Sequence, residues 1–274
     1  MDFFILGNPR SGTTLLRLML NTHSNIGVPP ECGMIQWWFK KYGDFGLDST
    51  IEKNEFINDI YASKKLEDWN LTKKDIAEVF KNNPKSYANV FDILYRNYTG
   101  KYVIGDKNNY YIHHLQEIHE IYPDTKYIHL VRDGRDVACS YLKLNTLDKG
   151  LKYLPKVSNN ISEIANEWCS NIIKTDAFIE DKNAFIVKYE DLLVEPEKTL
   201  TALCAFLGQG FETNMLEYFN YSNEPKSTLN WKEKILEPID KSNFNKFKNI
   251  LTQEQINEFN GIAYSVLKKY RYVT

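Results

Sequence analysis

Three observations on this 274-residue chain predict an α/β fold, a single domain with a parallel β-sheet flanked by helices. Short apolar runs alternate with stretches of helical period, the order that βαβ units require. The first run, Phe3-Phe4-Ile5-Leu6, leads directly into Gly7-Asn8-Pro9-Arg10-Ser11-Gly12-Thr13-Thr14 and then a helix. No repeat, low-complexity segment or Gly/Pro/Ser-rich linker divides the chain, so one domain over residues 1–274 is expected.

The strand over residues 3–6 is too short and apolar to be a helix. Gly7, Pro9 and Gly12 break it. From Thr13 helical spacing resumes, with Leu16, Met19 and Leu20 on one face. Strand, glycine turn and helix together turn loop N–H groups and a helix N-terminus toward an anion. Gly7 and Gly12 have the spacing of the P-loop G-x-x-x-x-G-K-[ST], but Thr13 occupies the lysine position. Arg10, inside the loop, offers a cation in its place. The competing reading is an ordinary tight strand–helix turn.

Residues 25–30 read as a loop or short strand, closed by Pro29-Pro30 and followed by Glu31. Trp37, Trp38, Phe39 and Tyr42 form an aromatic cluster that suits core packing or the wall of an acceptor pocket. Residues 50–99 are polar with helical period and start signals at Ser49-Thr50 and Thr72, which predicts a helical insertion over about 34–100. A strand follows at 101–105, ending in Asp106-Lys107, then one helix over 111–122. Residues 126–131 are a strong buried strand, followed by a helix over 135–144 and a loop over 145–157. A long helix covers 158–180 and a strand 184–187. Pro196 opens a helix to Leu207. The polar stretch beyond contains a lid over about 222–241, and a last helix spans 252–270 with Glu254 as its cap signal.

A net charge of −2 gives no bulk basic field, so nucleic acid is not expected as a partner. Cys32, Cys139, Cys169 and Cys204 are widely spaced without a C-x-x-C, which points to free thiols in a reducing, cytoplasmic compartment. His23, His113, His114, His119 and His129 form no ligand pattern with Cys or Asp, so no metal is expected. No run approaches the apolar length of a transmembrane helix, and residues 1–20 lack the basic start of a signal peptide.

A second anion site is expected where the strand over 126–131 ends. It places Arg132 at the carboxyl edge of the sheet, where α/β ligands bind, and Ser140 two turns into the next helix. A guanidinium and a hydroxyl there hold an anion by charge-assisted hydrogen bonds. The alternative is that Arg132 pairs with Asp133 or Asp136 while Ser140 merely packs.

Two strand-end anion sites suit a ligand with two separated anionic groups, and at this point the chain resembles the sulfotransferases that use 3'-phosphoadenosine 5'-phosphosulfate. Pro9-Arg10-Ser11-Gly12-Thr13-Thr14-Leu15-Leu16 resembles their 5'-phosphosulfate loop. Leu130-Val131-Arg132-Asp133-Gly134-Arg135-Asp136-Val137-Ala138-Cys139-Ser140 is similar to their 3'-phosphate segment. Val187-Lys188-Tyr189-Glu190-Asp191-Leu192 resembles the segment whose tyrosine lies near the adenine. The resemblance implies a P-loop nucleoside-triphosphate-hydrolase-like fold of sulfotransferase type. It also implies transfer of a sulfuryl group to a hydroxyl or amine.

By the same resemblance Glu31 stands where the tyrosylprotein branch has its base, and Asp106-Lys107-Asn108 looks like that branch's lysine segment. The histidine of the cytosolic branch is missing: Asn108-Asn109 follow Lys107. The resemblance therefore implies Glu31 as general base, with Lys107 and Arg10 stabilising the transferred group. His113 and His114 are the reserve bases. The bland alternatives are a helix N-terminal acid for Glu31 and a solvated surface charge for Lys107. In the C-terminal part only Asn230-Trp231-Lys232 is similar to the nucleotide-closing segment, with Ser227 as a further contact. The acceptor stays open among sugar, lipid, peptide tyrosine and small phenol or alcohol. Two other functions compete: a nucleotide or small-molecule kinase with a degenerate P-loop, and a non-catalytic bisphosphonucleotide-binding protein.

Overall fold

The computed structural model describes residues 1–274. Five strands, β1 (Phe3–Leu6), β2 (Ile26–Gly27), β3 (Val103–Lys107), β4 (Lys126–Val131) and β5 (Ala184–Lys188), form one parallel sheet in the order β2-β3-β1-β4-β5. The central pairings set Phe3 opposite Gly105 and Lys126, and Leu6 opposite His129. Both faces are covered, so the inner strands are apolar on both sides. Phe4, Leu6, Ile104 and Tyr127 face a cluster built mainly from the helices between β2 and β3. Phe3, Ile5, Ile128 and Leu130 face α1 (Thr13–Thr22) and the helix Pro196–Leu207. Trp168 centres a third cluster, where the helices Gly134–Asn145, Ile161–Ile179 and Gln253–Lys269 meet.

Between β2 and β3 every regular element is helical. Capping boxes at Ser49 and Thr72 start two of these helices, each hydroxyl accepting from the backbone N–H three residues on. Trp38, Phe39 and Tyr42 pack among Ser63, Tyr87 and Phe56. These three belong to the core, Trp37 is exposed, and none of the four lines the large cavity.

Within the loop or short strand expected over 25–30, Ile26–Gly27 forms β2, at the edge of the sheet. Local expectations are corrected in four places. β3 runs two residues past its expected end, taking in Asp106 and Lys107. A carboxylate is tolerated there because Asp106 accepts from the Tyr111 hydroxyl at 2.5 Å and the Lys107 N–H at 2.7 Å. The helix expected over 111–122 divides into a 3-10 turn, Asn109–His113, and a helix, Leu115–Ile121. Tethering Tyr111 to Asp106 fixes the turn separately. A short helix, Tyr189–Val194, lies between β5 and Pro196. At the last helix Gln255, not Glu254, closes the capping box with Thr252.

Candidate functional site

The turn after β1 is built around close approach. Gly12 has φ of 101°, and a Cβ there would lie 2.3 Å from the Tyr189 ring. Arg10 also takes a positive φ of 70°. α1 has neither a side-chain cap nor an acidic residue in its first turn. Its first N–H groups thus lack the partners that the capped helices have. The Ser11 hydroxyl is buried without a partner. Such a turn has the geometry and the unmet hydrogen-bonding capacity to hold an anion.

A pair of guanidinium groups closes one side of it. Arg10 Nε donates to Ser140 Oγ at 3.0 Å and its Nη2 to the Trp231 carbonyl at 2.8 Å. Arg132 donates to the carbonyls of Arg10 and Asn243, both at 3.2 Å, and lies 4.3 Å from the Tyr189 ring centre. Its Nε is buried and unpartnered. Asp133 is occupied by Arg135 at 2.7 Å, and Asp136 stands 3.7 Å from Arg132. The carboxylates therefore do not saturate Arg132. Burial, then Arg132, push the Arg10 guanidinium down to about 10. A buried and a half-buried cation held this close call for an anion.

The other side holds Glu31 and Lys107. Glu31 lies two residues before Gly33, which caps the short helix Met34–Trp37, so it is not a first-turn acid. Its carboxylate accepts from Lys65 Nζ at 3.0 Å and the Asn109 N–H at 3.2 Å, with Lys107 Nζ at 3.7 Å. Burial alone would lift this carboxyl, but Lys107, Lys65 and Lys232 outweigh it and hold it well below the usual carboxylate range. Lys107 is 1% exposed, which removes the reading as a solvated charge. Burial pushes its ammonium down to about 8 against the pull of Glu31. Lys107 Nζ lies 3.5 Å from Thr14 Oγ1, so α1 touches this group through Thr14 and the guanidinium pair through Gly12 and Tyr189.

One cavity of about 650 Å³ joins the two groups. Arg10, Gly12, Thr13, Thr14, Glu31, Lys107, Arg132, Ser140, Tyr189, Trp231 and Lys232 all line it. Ser11, within the loop, is buried and does not line the cavity. Ser227 is not a lining residue; its hydroxyl is buried and unpartnered elsewhere. Arg10 bonds to Ser140 and stands beside Arg132 despite their like charge, away from Glu31, so it belongs with the guanidinium pair. His113 and His114 do not line the cavity, and His114 pairs with Glu117 at 3.0 Å. Most of residues 228–240, without Leu229 and Leu236, also line the cavity.

Lys65 and Asn109 were not singled out from the sequence. Lys65 sits in a turn of the helical insertion with a φ of 68°, a feature no local motif announces. Arg17 and Glu224 were also missed. A charge within Leu15-Leu16-Arg17-Leu18-Met19 was the available signal for the first, since only a buried partner makes it tolerable.

A family model described as "Sulfotransferase family" matches residues 2–213. Protein-tyrosine sulfotransferase A of Caenorhabditis elegans is 22% identical over 272 residues, covering 95% of this chain and 64% of that protein. The chain spans about half to two thirds of the length of such curated relatives. Among solved structures, the sulfotransferase domain from the curacin biosynthetic pathway superposes with a TM-score of 0.67 at 24% identity, over 97% of this chain and 96% of that one. A mouse sulfotransferase complexed with PAP gives a TM-score of 0.50 at 16% identity, covering 97% and 84%.

Proposed function

The chain belongs to the sulfotransferase family, and from that premise we propose that it transfers a sulfuryl group from 3'-phosphoadenosine 5'-phosphosulfate to an acceptor hydroxyl. One observation carries the reading: one uncapped helix N-terminus, with Arg10 in its turn and Thr14 Oγ1 3.5 Å from Lys107 Nζ, stands between two separate cationic groups lining one cavity. That arrangement matches a nucleotide with anions at both its 3' and 5' positions. A relative by fold, the mouse enzyme, is recorded with the corresponding bisphosphate. The buried, unpartnered Ser11 Oγ and Arg132 Nε fit such a ligand.

When bound, the donor supplies a sulfuryl group already activated by its phosphate leaving group. The loop N–H groups around Gly12, Thr13 and Thr14 hold the 5' end. Arg132, Ser140 and Arg10 hold the 3'-phosphate, with Tyr189 as a wall between Gly12 and Arg132. Lys107 and Lys232 stabilise charge developing on the leaving oxygen. Glu31 accepts the acceptor's proton. Its three lysine partners make it a weak base while they hold it. An anion that engages Lys107 and Lys232 weakens their pull and raises its basicity. Lys65 remains as the group that orients the carboxylate.

The acceptor reaches Glu31 past Leu147, Tyr153 and Pro155, which line the same cavity. The names of the curated relatives put a tyrosine peptide first in an acceptor panel, ahead of phenols and sugars. Residues 222–241 act as the lid over the nucleotide. All four cysteines are free and buried, in keeping with a cytoplasmic setting. No helix is long and apolar enough to cross a membrane.

The test is ligand-induced stabilisation. Adenosine 3',5'-bisphosphate at a hundred times its Kd should stabilise the fold by about 2.7 kcal/mol, and adenosine 5'-phosphate at the same concentration far less. Arg132→Ala should weaken the bisphosphate by about 1.5–3 kcal/mol, the worth of a hydrogen bond to a charged group. Equal stabilisation by the two nucleotides, or a preference for ATP with Mg²⁺, would overturn the donor assignment.

A further inference from the structure

We propose that Glu224 is a positioning residue which, anchored by Arg17 of α1, sets the Lys232 ammonium at the 5'-phosphate end of the nucleotide site. The proposal rests on the donor reading above. Arg17 is fully buried, in the middle of an apolar helix. Its Nη2 donates to Glu224 Oε2 at 2.7 Å, and its Nη1 to the Val28 carbonyl at 2.9 Å and Asn223 Oδ1 at 2.8 Å. The other carboxylate oxygen, Oε1, accepts from Thr228 Oγ1 at 3.0 Å and from Lys232 Nζ. The two oxygens of one buried carboxylate thus divide between α1 and the lid.

Glu224 itself does not line the cavity, whereas Lys232 does. Lys232 also lies close enough to act on both Glu31 and Lys107. The segment that carries it has only short helices, Lys226–Leu229 and Glu233–Leu236. A long flexible side chain on such a segment loses much of its value unless something fixes it. Glu224 does so while held by Arg17, which lies on the same helix whose N-terminus faces the anion. Position is therefore referred to a rigid helix through one buried carboxylate. A carboxylate needed only to neutralise Arg17 has no reason to turn its second oxygen toward a cavity-lining lysine. Lys232, Lys107 and Lys65 outnumber Glu31 and Glu224, so a cation held there still has attraction to spare for a phosphate.

The full-length chain is titrated calorimetrically with adenosine 3',5'-bisphosphate and adenosine 3'-phosphate, which differ only at the 5' end. Lys232→Met should lower the preference for the bisphosphate about tenfold, the loss of one charge-assisted hydrogen bond. Glu224→Gln should produce the same loss while leaving the 3'-phosphate affinity in place. The double variant should be no worse than either single one, because coupled residues are non-additive. Equal weakening of both ligands by Glu224→Gln, or additive losses in the double variant, would overturn the proposal. Glu224→Gln leaves Arg17 short of a charge and puts folding at risk, so Thr228→Val provides a milder route. It removes the hydroxyl that fixes Oε1 and should lower the same preference in wild type but not in the Lys232→Met background. No change in wild type overturns the proposal. A wild-type chain that binds both ligands equally overturns the donor reading, and this proposal with it. An intact wild-type preference that Glu224→Gln leaves untouched overturns this proposal alone.

Discussion

Glu31 and Lys107 each sit in an environment that burial makes unfavourable, and each is kept by the other. Glu31→Gln keeps the shape and removes the charge. It should lower kcat by at least about 10²-fold, the usual contribution of a positioned base. Bisphosphate affinity should hold or tighten, because the lysines lose a competing carboxylate; a weaker bisphosphate complex with unchanged turnover would reverse the assignment. Lys107 gives a pH signature. Its ammonium titrates near pH 8 in the free protein, so bisphosphate affinity should fall as pH rises through that value. Lys107→Met should flatten the profile between about pH 7 and 9.5, the span around a lysine shifted in this direction. Stability moves the other way. The folded chain gives up this proton at lower pH than the unfolded chain. The stability that burying a charged Lys107 costs is therefore regained as pH climbs from about 8 toward the ordinary lysine value of 10.5.

At the scale of the element, the turn between β1 and α1 depends on one glycine for two reasons. Gly12 takes a left-handed φ and gives the Tyr189 ring room to lie against it. Gly12→Ala adds backbone strain and an overpacked contact, which together should cost about 2–4 kcal/mol. A thermal melt showing no loss would mean that Tyr189 yields freely. Helix starts were legible where capping is local: Ser49, Thr72 and Thr252 are each read from a four-residue window. The strand β4 and the helix from Pro196 were legible at their bounds for the same reason. The break at His114 was not, because a hydrogen bond from Tyr111 to Asp106 decides it, and the apolar period runs straight through.

At the scale of the molecule, charge is segregated. The chain carries −2, yet the cavity is lined by eight Lys and Arg against five Asp and Glu. A cleft with an excess of positive charge focuses the field and draws anionic ligands. Association of the bisphosphate should therefore slow by about threefold or more between low salt and 0.2 M, as the Debye length shortens. Its dissociation should change less, since the buried contacts are screened less. A salt-independent association rate would show that the surface charges do not steer.

The sequence by itself determined the alternation of strands and helices, the glycine turn, and the three segments that make the chain a sulfotransferase relative. These depend on residues close together along the chain, where period, capping and turn chemistry act. Only the tertiary structure decided which charges meet. Lys65 reaches Glu31 across 34 residues of separation, and Arg17 reaches Glu224 across 207. It also moved Arg10 to the side of Ser140, 130 residues away. No local pattern encodes such pairs, because each lone charge is unfavourable where it is buried and becomes stable only when folding delivers its partner.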